Sequence, residues 1–405
     1  MSTIAFVLAR LNRFASRFGR RPFSRRRSGA AAGTLAAVTL AMLAVGDAAV
    51  GQPSSPAAAE SAPDAETQVQ PEALKLARDP AVHRELNLSA EQIRAVEAGL
   101  AEVDPRWWRS RILKPSEQAA EVKQLTGVLA AKLKRILTAE QSARWRQLLR
   151  QARGTRSLLQ PEMAKPLALT SSQQETLRAA FAETDQLSKR IQQSVPKAST
   201  DRDAAMAEVQ QAMQSELETV KQTLTDDQKV LLGGLMGPTF DFSRVSRTFP
   251  RAPEILLQNS QWIGDEAPRL KELRGKVVAV HFYAFQCINC KRNLPHYNGW
   301  HEDFADQGLV VIGIQTPETS AERKIDLVRE AAKVRGLKYP VLMDGRSENW
   351  QAWGTTMWPT VYLIDKDGYI RRWWQGELNW QGTEGEADMR RTIETLLAED
   401  RTGSS

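Results

Sequence analysis

The run Val277-Val278-Ala279-Val280-His281-Phe282-Tyr283 leads, three residues later, into Cys287-Ile288-Asn289-Cys290, and this junction restricts the fold more than any other stretch. A short run of β-branched and aromatic residues, too short to span a membrane, reads as a buried central strand. The residues after the cysteines lack β-branched runs, so a helix can start at the pair. Both thiols then sit in its first turn, where unpaired backbone N–H groups and the helix dipole favour an anion. That lowers the pKa of the more exposed Cys287 and makes it the nucleophile. Cys290, one turn on and more buried, is placed to resolve a mixed disulfide.

These are the only two cysteines in 405 residues. A Cys-x-x-Cys pair also suits a structural disulfide or part of a zinc site. Tetrahedral zinc normally needs four ligands, however, and His296 would be a lone third. No metal or other cofactor is expected; the reactive group is the Cys287–Cys290 pair itself.

Further ordered motifs surround the pair: Leu273-Arg274-Gly275-Lys276 before the strand, Pro295 five residues after Cys290, Val310-Val311-Ile312-Gly313-Ile314, Tyr339-Pro340-Val341, and Trp358-Pro359-Thr360 running into Leu363-Ile364-Asp365-Lys366-Asp367-Gly368. With these, residues 254–401 resemble the thioredoxin superfamily in its TlpA/ResA-like, AhpC/TSA-related bacterial branch. The Cys-Ile-Asn-Cys motif is similar to that of the subgroup with DipZ-type C-terminal domains. The resemblance implies a thioredoxin-like α/β domain that exchanges disulfides with protein thiols. It implies a cis Pro359 beside the pair, aiming the Trp358 backbone at an extended substrate; the alternative is an ordinary trans proline at a strand start. Phe285, Gln286, Trp358 and Thr360 are the expected substrate contacts.

Glu318 matches a glutamate that this branch places near its cysteines. His281 stands six residues before Cys287, where many thioredoxins carry a buried acid that manages the proton of the second thiol. A neutral imidazole suits that task near neutral pH; the alternative is a satisfied core histidine. Lys291 and Arg292 either add positive potential near Cys287 or form a solvated face. Exported relatives of this kind mostly reduce, fed by a membrane electron donor. One alternative is a thiol peroxidase, although Ala284 stands where peroxidases of that group carry a threonine. Another is a helical chaperone or scaffold with an accessory redox domain.

Residues 1–51 read as an export signal. Residues 1–28 hold eight arginines and no acid, Gly29 to Gly46 is uncharged and apolar, and Ala49-Val50-Gly51 suits cleavage before Gln52. Arg20-Arg21-Pro22-Phe23 resembles a twin-arginine signal. The alternative is an uncleaved anchor through residues 29–46, so the expected location is the periplasm or cell envelope. The whole chain is +7, and residues 1–51 contribute eight Arg minus Asp47, also +7, so the remainder is neutral. No field for nucleic acid is left.

Residues 52–72, rich in Pro, Ser and Ala, read as a disordered tether. From 73 to 236 the chain reads as helical and duplicated. Leu88-Ser89-x-x-Gln92, Leu137-Thr138-x-x-Gln141, Leu169-Thr170-x-x-Gln173 and Leu224-Thr225-x-x-Gln228 are four capping boxes, spaced 49 and 55 residues apart within two units. Ala119–Ile136 and Met206–Leu224 are the expected long helices. The pattern is similar to the LTxxQ repeats of periplasmic Spy/CpxP-like proteins, which act as chaperone-like or stress-response factors, and this implies client or partner binding; the alternative is a spacer or a module for self-association. Arg106-Trp107-Trp108-Arg109 reads as an exposed anchor patch or a loop folded onto its own helices. Residues 237–253 read as a linker. Beyond it, strands at Val277–Tyr283, Leu309–Gln315, Pro340–Met343, Thr360–Ile364 and Ile370–Trp374 alternate with helices from Cys287, over about 320–335 and at Ala387–Ala398, which argues an α/β sheet covered on both faces.

Overall fold

The computed structural model describes residues 71–194 and 201–400. The segments read as an export signal and a tether lie outside them up to residue 70; Glu72 already belongs to the first helix. Nine helices follow one another before the sheet among the described residues: α1 (Glu72–Leu76), α2 (Pro80–Glu85), α3 (Ala90–Ser110), α4 (Pro115–Ile136), α5 (Ala139–Arg153), α6 (Pro161–Ala164), α7 (Ser171–Ser194), α8 (Asp201–Thr223) and α9 (Asp226–Met236).

All four capping boxes form. In each, the Ser or Thr hydroxyl accepts the Gln backbone N–H at 3.2–3.3 Å, and the Gln side-chain oxygen accepts the cap residue's N–H at 2.9–3.0 Å. The first glutamine of each pair also reaches across. Gln92 Nε2 donates to Ile136 O and Gln173 Nε2 to Thr223 O, both at 2.9 Å. Each acceptor lies two residues before the second cap, Thr138 or Thr225, so the same side chain seals one helix start and a partner helix end.

Packing divides the described residues into two compact units, Thr138–Phe242 and a discontinuous one of 71–137 with 243–400. This differs from the expected single helical region over 73–236. In the first unit α7 and α8 form a hairpin whose core holds Leu177, Phe181, Val220 and Leu224 with Leu158, Met163 and Leu167 from the preceding segment. Glu216, buried among them, takes Thr155 Oγ1 at 2.6 Å and pairs with Arg156.

The second unit contains one six-stranded sheet of β1 (Gln261–Ile263), β2 (Val277–Tyr283), β3 (Leu309–Gln315), β4 (Val341–Met343), β5 (Thr360–Ile364) and β6 (Ile370–Gln375), in the order β1-β4-β3-β2-β5-β6. β2, β3 and β4 are parallel; β1, β5 and β6 run antiparallel to their neighbours. β1 and the short helix α12 (Glu348–Ala352) have no counterpart in the sequence reading. The steps β2 to β3 and β3 to β4 go the same way across the sheet. Right-handed crossovers therefore put α10 (Ile288–Phe304) and α11 (Ile325–Val334) on one face. The last helix, α13 (Gly385–Ala398), joins them through Met389, Ile393 and Leu396.

The other face, carrying Val278, Val280, Phe282, Ile312, Ile314 and Tyr362, is left to α12, to Leu270 and Leu273, and to α3. The α3 contribution is Trp108, which corrects both expectations for its motif. It lies inside a helix, 4% exposed, and packs on the six-stranded sheet rather than on its own helices. Its Nε1 donates to Trp353 O at 2.9 Å, and its ring meets Tyr362 and Trp373 edge-on. Arg111 stacks on Trp108 and donates to Trp353 O and Gly354 O at 2.7 Å each. Behind this contact, buried Arg78 makes a two-pronged pair with Asp104 at 2.8 and 2.9 Å. Asp79 caps α2 and also accepts the N–H groups of Ser246 and Arg247, and Arg247 pairs with Asp365 and Asp367 in the β5–β6 turn. Residues 243–253, part of the 237–253 stretch expected as a linker, are thus fastened at both sides.

Candidate active site

Seven consecutive buried residues make β2, and α10 begins at once after it, with Cys287 as its N-cap residue. Cys287 is half-buried and Cys290, in the first turn, fully buried; both are free thiols. Cys290 Sγ accepts the Ala284 N–H at 3.5 Å. A hydrogen bond from Cys290, reinforced by the backbone N–H groups of Cys290 and Asn289, draws Cys287 down to about 6, against the opposing effects of its partial burial and of Glu318. Burial, together with the neighbouring Cys287, pushes Cys290 far above the ordinary thiol range. One thiol is ready to ionise and the other holds its proton, the asymmetry a nucleophile and a resolving group need.

Three segments wall this end of the sheet. Phe285 and Trp358 pack, with Cys287, against the core on the α10 side. Trp358 stacks on Trp350 at 4.1 Å and donates to Thr316 O at 3.2 Å, and its bond to buried Pro359 is cis. Exposed Gln286 accepts from Thr319 Oγ1 at 2.8 Å. Glu318, exposed on the loop after β3, lies close enough for its charge to raise both thiols. Among the described residues no group of three or more His, Cys, Asp or Glu converges as a metal site.

Comparison with known proteins fits this arrangement. Residues 250–373 match the AhpC/TSA family model. DipZ of Mycobacterium tuberculosis is 40% identical over 121 residues, covering 30% of this chain but only 17% of that protein, so the chain spans about a sixth of the relative's length. The thiol–disulfide oxidoreductase ResA of Bacillus thuringiensis is 30% identical over 127 residues, covering 28% of this chain and 70% of ResA. The chain belongs to the ResA-like family of the thioredoxin superfamily. A thiol:disulfide interchange protein of Chlorobium tepidum superposes on 36% of this chain at 24% identity and a TM-score of 0.30.

Within the ResA-like domain, two expected residues sit differently from the sequence reading. Thr360 is fully buried and its hydroxyl donates to Met357 O at 2.7 Å, so its side chain does not face a substrate. His281 is fully buried on the α10 face, stacked on Tyr297 at 4.3 Å and flanked by Tyr283 and Tyr339. Neither ring nitrogen has a hydrogen-bond partner, and burial lowers it to about 3, so it is neutral across the working range. Its contacts are with rings alone, and no hydrogen bond leads from it towards Cys290. Opposite His281 in register stands Gly313, where an added Cβ would lie 3.0 Å from Nε2. Arg292 is paired with Glu377 at 3.0 Å on a half-exposed face.

Sequence reasoning missed Glu322, Asn293 and Trp350. Asn293 ties α10 to the loop after β6, donating to Gly376 O and accepting the Leu378 N–H. These residues carry no motif of their own; only the pairing of distant loops gives them a place.

Proposed function

We propose that the protein is an exported thiol–disulfide reductase acting on protein substrates. The observation that carries disulfide exchange is the asymmetry of the pair: Cys287, half-exposed and drawn to about 6, beside a buried, protonated Cys290; the reducing direction rests on the resemblance to ResA-like proteins. The Cys287 thiolate attacks one sulfur of a substrate disulfide; an S–S bond forms to Cys287 and the other substrate sulfur leaves as a thiolate, which takes up a proton. Cys290 then gives up its proton and attacks Cys287, releasing the second substrate thiolate. The substrate gains two electrons and the enzyme is left with a Cys287–Cys290 disulfide. A dithiol donor, here taken to be membrane-bound, must return the two electrons.

Phe285, Gln286, Trp358 and the backbone at Pro359 form the docking surface in this scheme. Glu318 supplies charge at the pair. Export rests on residues 1–51, and no helix of the described residues is long and apolar enough to cross a membrane. Ala284 offers no hydroxyl for peroxide, which favours disulfide exchange over peroxidase chemistry.

The deciding experiment is thiol labelling of the full chain across glutathione ratios. A potential near about −270 mV fits a reductase and one near about −120 mV an oxidant of folding proteins. Absence of any Cys287–Cys290 disulfide at every ratio rejects the exchange reading altogether.

A further inference from the structure

Beside the thiols lies a carboxylate with no assigned task. Glu322, in the short turn Ala321–Arg323, is fully buried. One oxygen accepts the N–H of Gln286, the residue before Cys287, at 2.7 Å. The other accepts the N–H groups of Glu318 and Thr319 at 2.6 and 2.9 Å. Burying a carboxylate costs several kcal/mol unless its oxygens are satisfied, and here three backbone donors offset that cost. A residue that only capped its own turn would need the Glu318 and Thr319 amides alone. The bond to Gln286 ties the β3–α11 loop to the turn that carries the nucleophile, and Thr319 Oγ1 to Gln286 Oε1 doubles the tie.

We propose that Glu322 is a positioning residue that clamps the Glu318 loop onto the Cys287 turn and so fixes how strongly the Glu318 charge acts on the thiol pair. The inference rests on the exchange reading for its biological use. The titratable and charged groups around the pair are Glu318 and Glu322 on the loop, Tyr283 on β2, and Lys291, Arg292 and Tyr297 on α10. Of these, Glu318 is the one whose charge acts on both cysteines. Its carboxylate is exposed and its backbone is held by Glu322, so its distance from the thiols depends on the clamp. Replacement by glutamine leaves one oxygen to accept and turns an NH₂ group toward the other set of N–H donors, so one side of the clamp opens.

The test titrates the Cys287 thiolate by its ultraviolet absorbance in the full chain, in wild type, Glu318→Gln, Glu322→Gln and the double variant. Removing the Glu318 charge lowers the wild-type midpoint. With the clamp open, the same substitution moves the midpoint by about half as much or less, since contacting residues are not additive. An equal Glu318→Gln shift in both backgrounds overturns the proposal, because a purely structural Glu322 would weaken folding without changing that shift. If Glu322→Gln does not fold, Glu322→Asp is read the same way: it keeps the buried charge but is one methylene too short to reach both loops. Failure of the exchange reading is separate, since wild type would then form no disulfide in glutathione while the titration remained readable.

Discussion

Replacing Cys290 by alanine tests the origin of the reactive thiolate. The largest influence lowering Cys287 to about 6 is the hydrogen bond from Cys290, followed by the Cys290 and Asn289 backbone N–H groups, which the substitution leaves in place. A hydrogen bond to a charged group is worth about 1.5–3 kcal/mol, and one pH unit corresponds to about 1.4 kcal/mol. Because Cys287 is half-exposed, the low end applies, so the midpoint should rise by about 1–1.5 pH units. At pH 7 the thiolate population then falls from about 90% to between about a quarter and a half. Cys290→Ser keeps an O–H donor and should fall between. The assay is the pH dependence of alkylation by iodoacetamide, with Cys287 the only thiol left in either variant. A midpoint still near 6 in Cys290→Ala refutes the reasoning and assigns the thiolate to the helix start alone.

Trp108→Ala should cost about 3–5 kcal/mol in urea unfolding of the full chain, the usual loss for a buried tryptophan; a loss under about 1 kcal/mol would mean that α3 is not part of the redox core. Gly313→Ala should destabilise by about 1–3 kcal/mol through the His281 ring, and much of that should return in a His281→Ala background, where the obstructing ring is gone. His281 carries its own pH signature. Its folded midpoint of about 3 lies below the unfolded value of 6.5, so the unfolded chain takes up a proton first and stability falls as pH drops from 6.5 towards 3. Between pH 7 and pH 5 that amounts to about 2 kcal/mol, visible as a steeper pH dependence in wild type than in His281→Leu; parallel curves would contradict the buried neutral ring. Gln92→Ala and Gln173→Ala each remove the side-chain half of a capping box and a cross-helix bond, for about 1–2 kcal/mol each by thermal or urea unfolding.

Local signals in the chain were strong where one segment carries its own instruction. The run Val277–Tyr283, apolar except for His281, reads as a strand buried on both faces, since such a run finds no other environment. Cys287 and Cys290 have to share a helix start because nothing between them and Pro295 resists a helix. The Ser/Thr-x-x-Gln boxes named all four caps because a capping box is a contact between residues three apart. Asp365-Lys366-Asp367-Gly368 declared its hairpin because Gly368, at φ 85°, takes a conformation that other residues resist.

What the sequence alone determined, then, is the redox pair, the strands β2 to β6 around it and the helix starts before it, all encoded within a few residues of chain. Tertiary structure decided the rest. Trp108 lies 245 residues from its acceptor Trp353, and only the crossover geometry, which sends α10 and α11 to the same face, explains why the opposite face recruits it. Glu322 became part of the site because two loops meet over its carboxylate. His281 turned out neutral because every neighbour on its face is an aromatic ring or core residue. Each depends on a contact between segments far apart in the chain, and no local pattern of residues records such a contact.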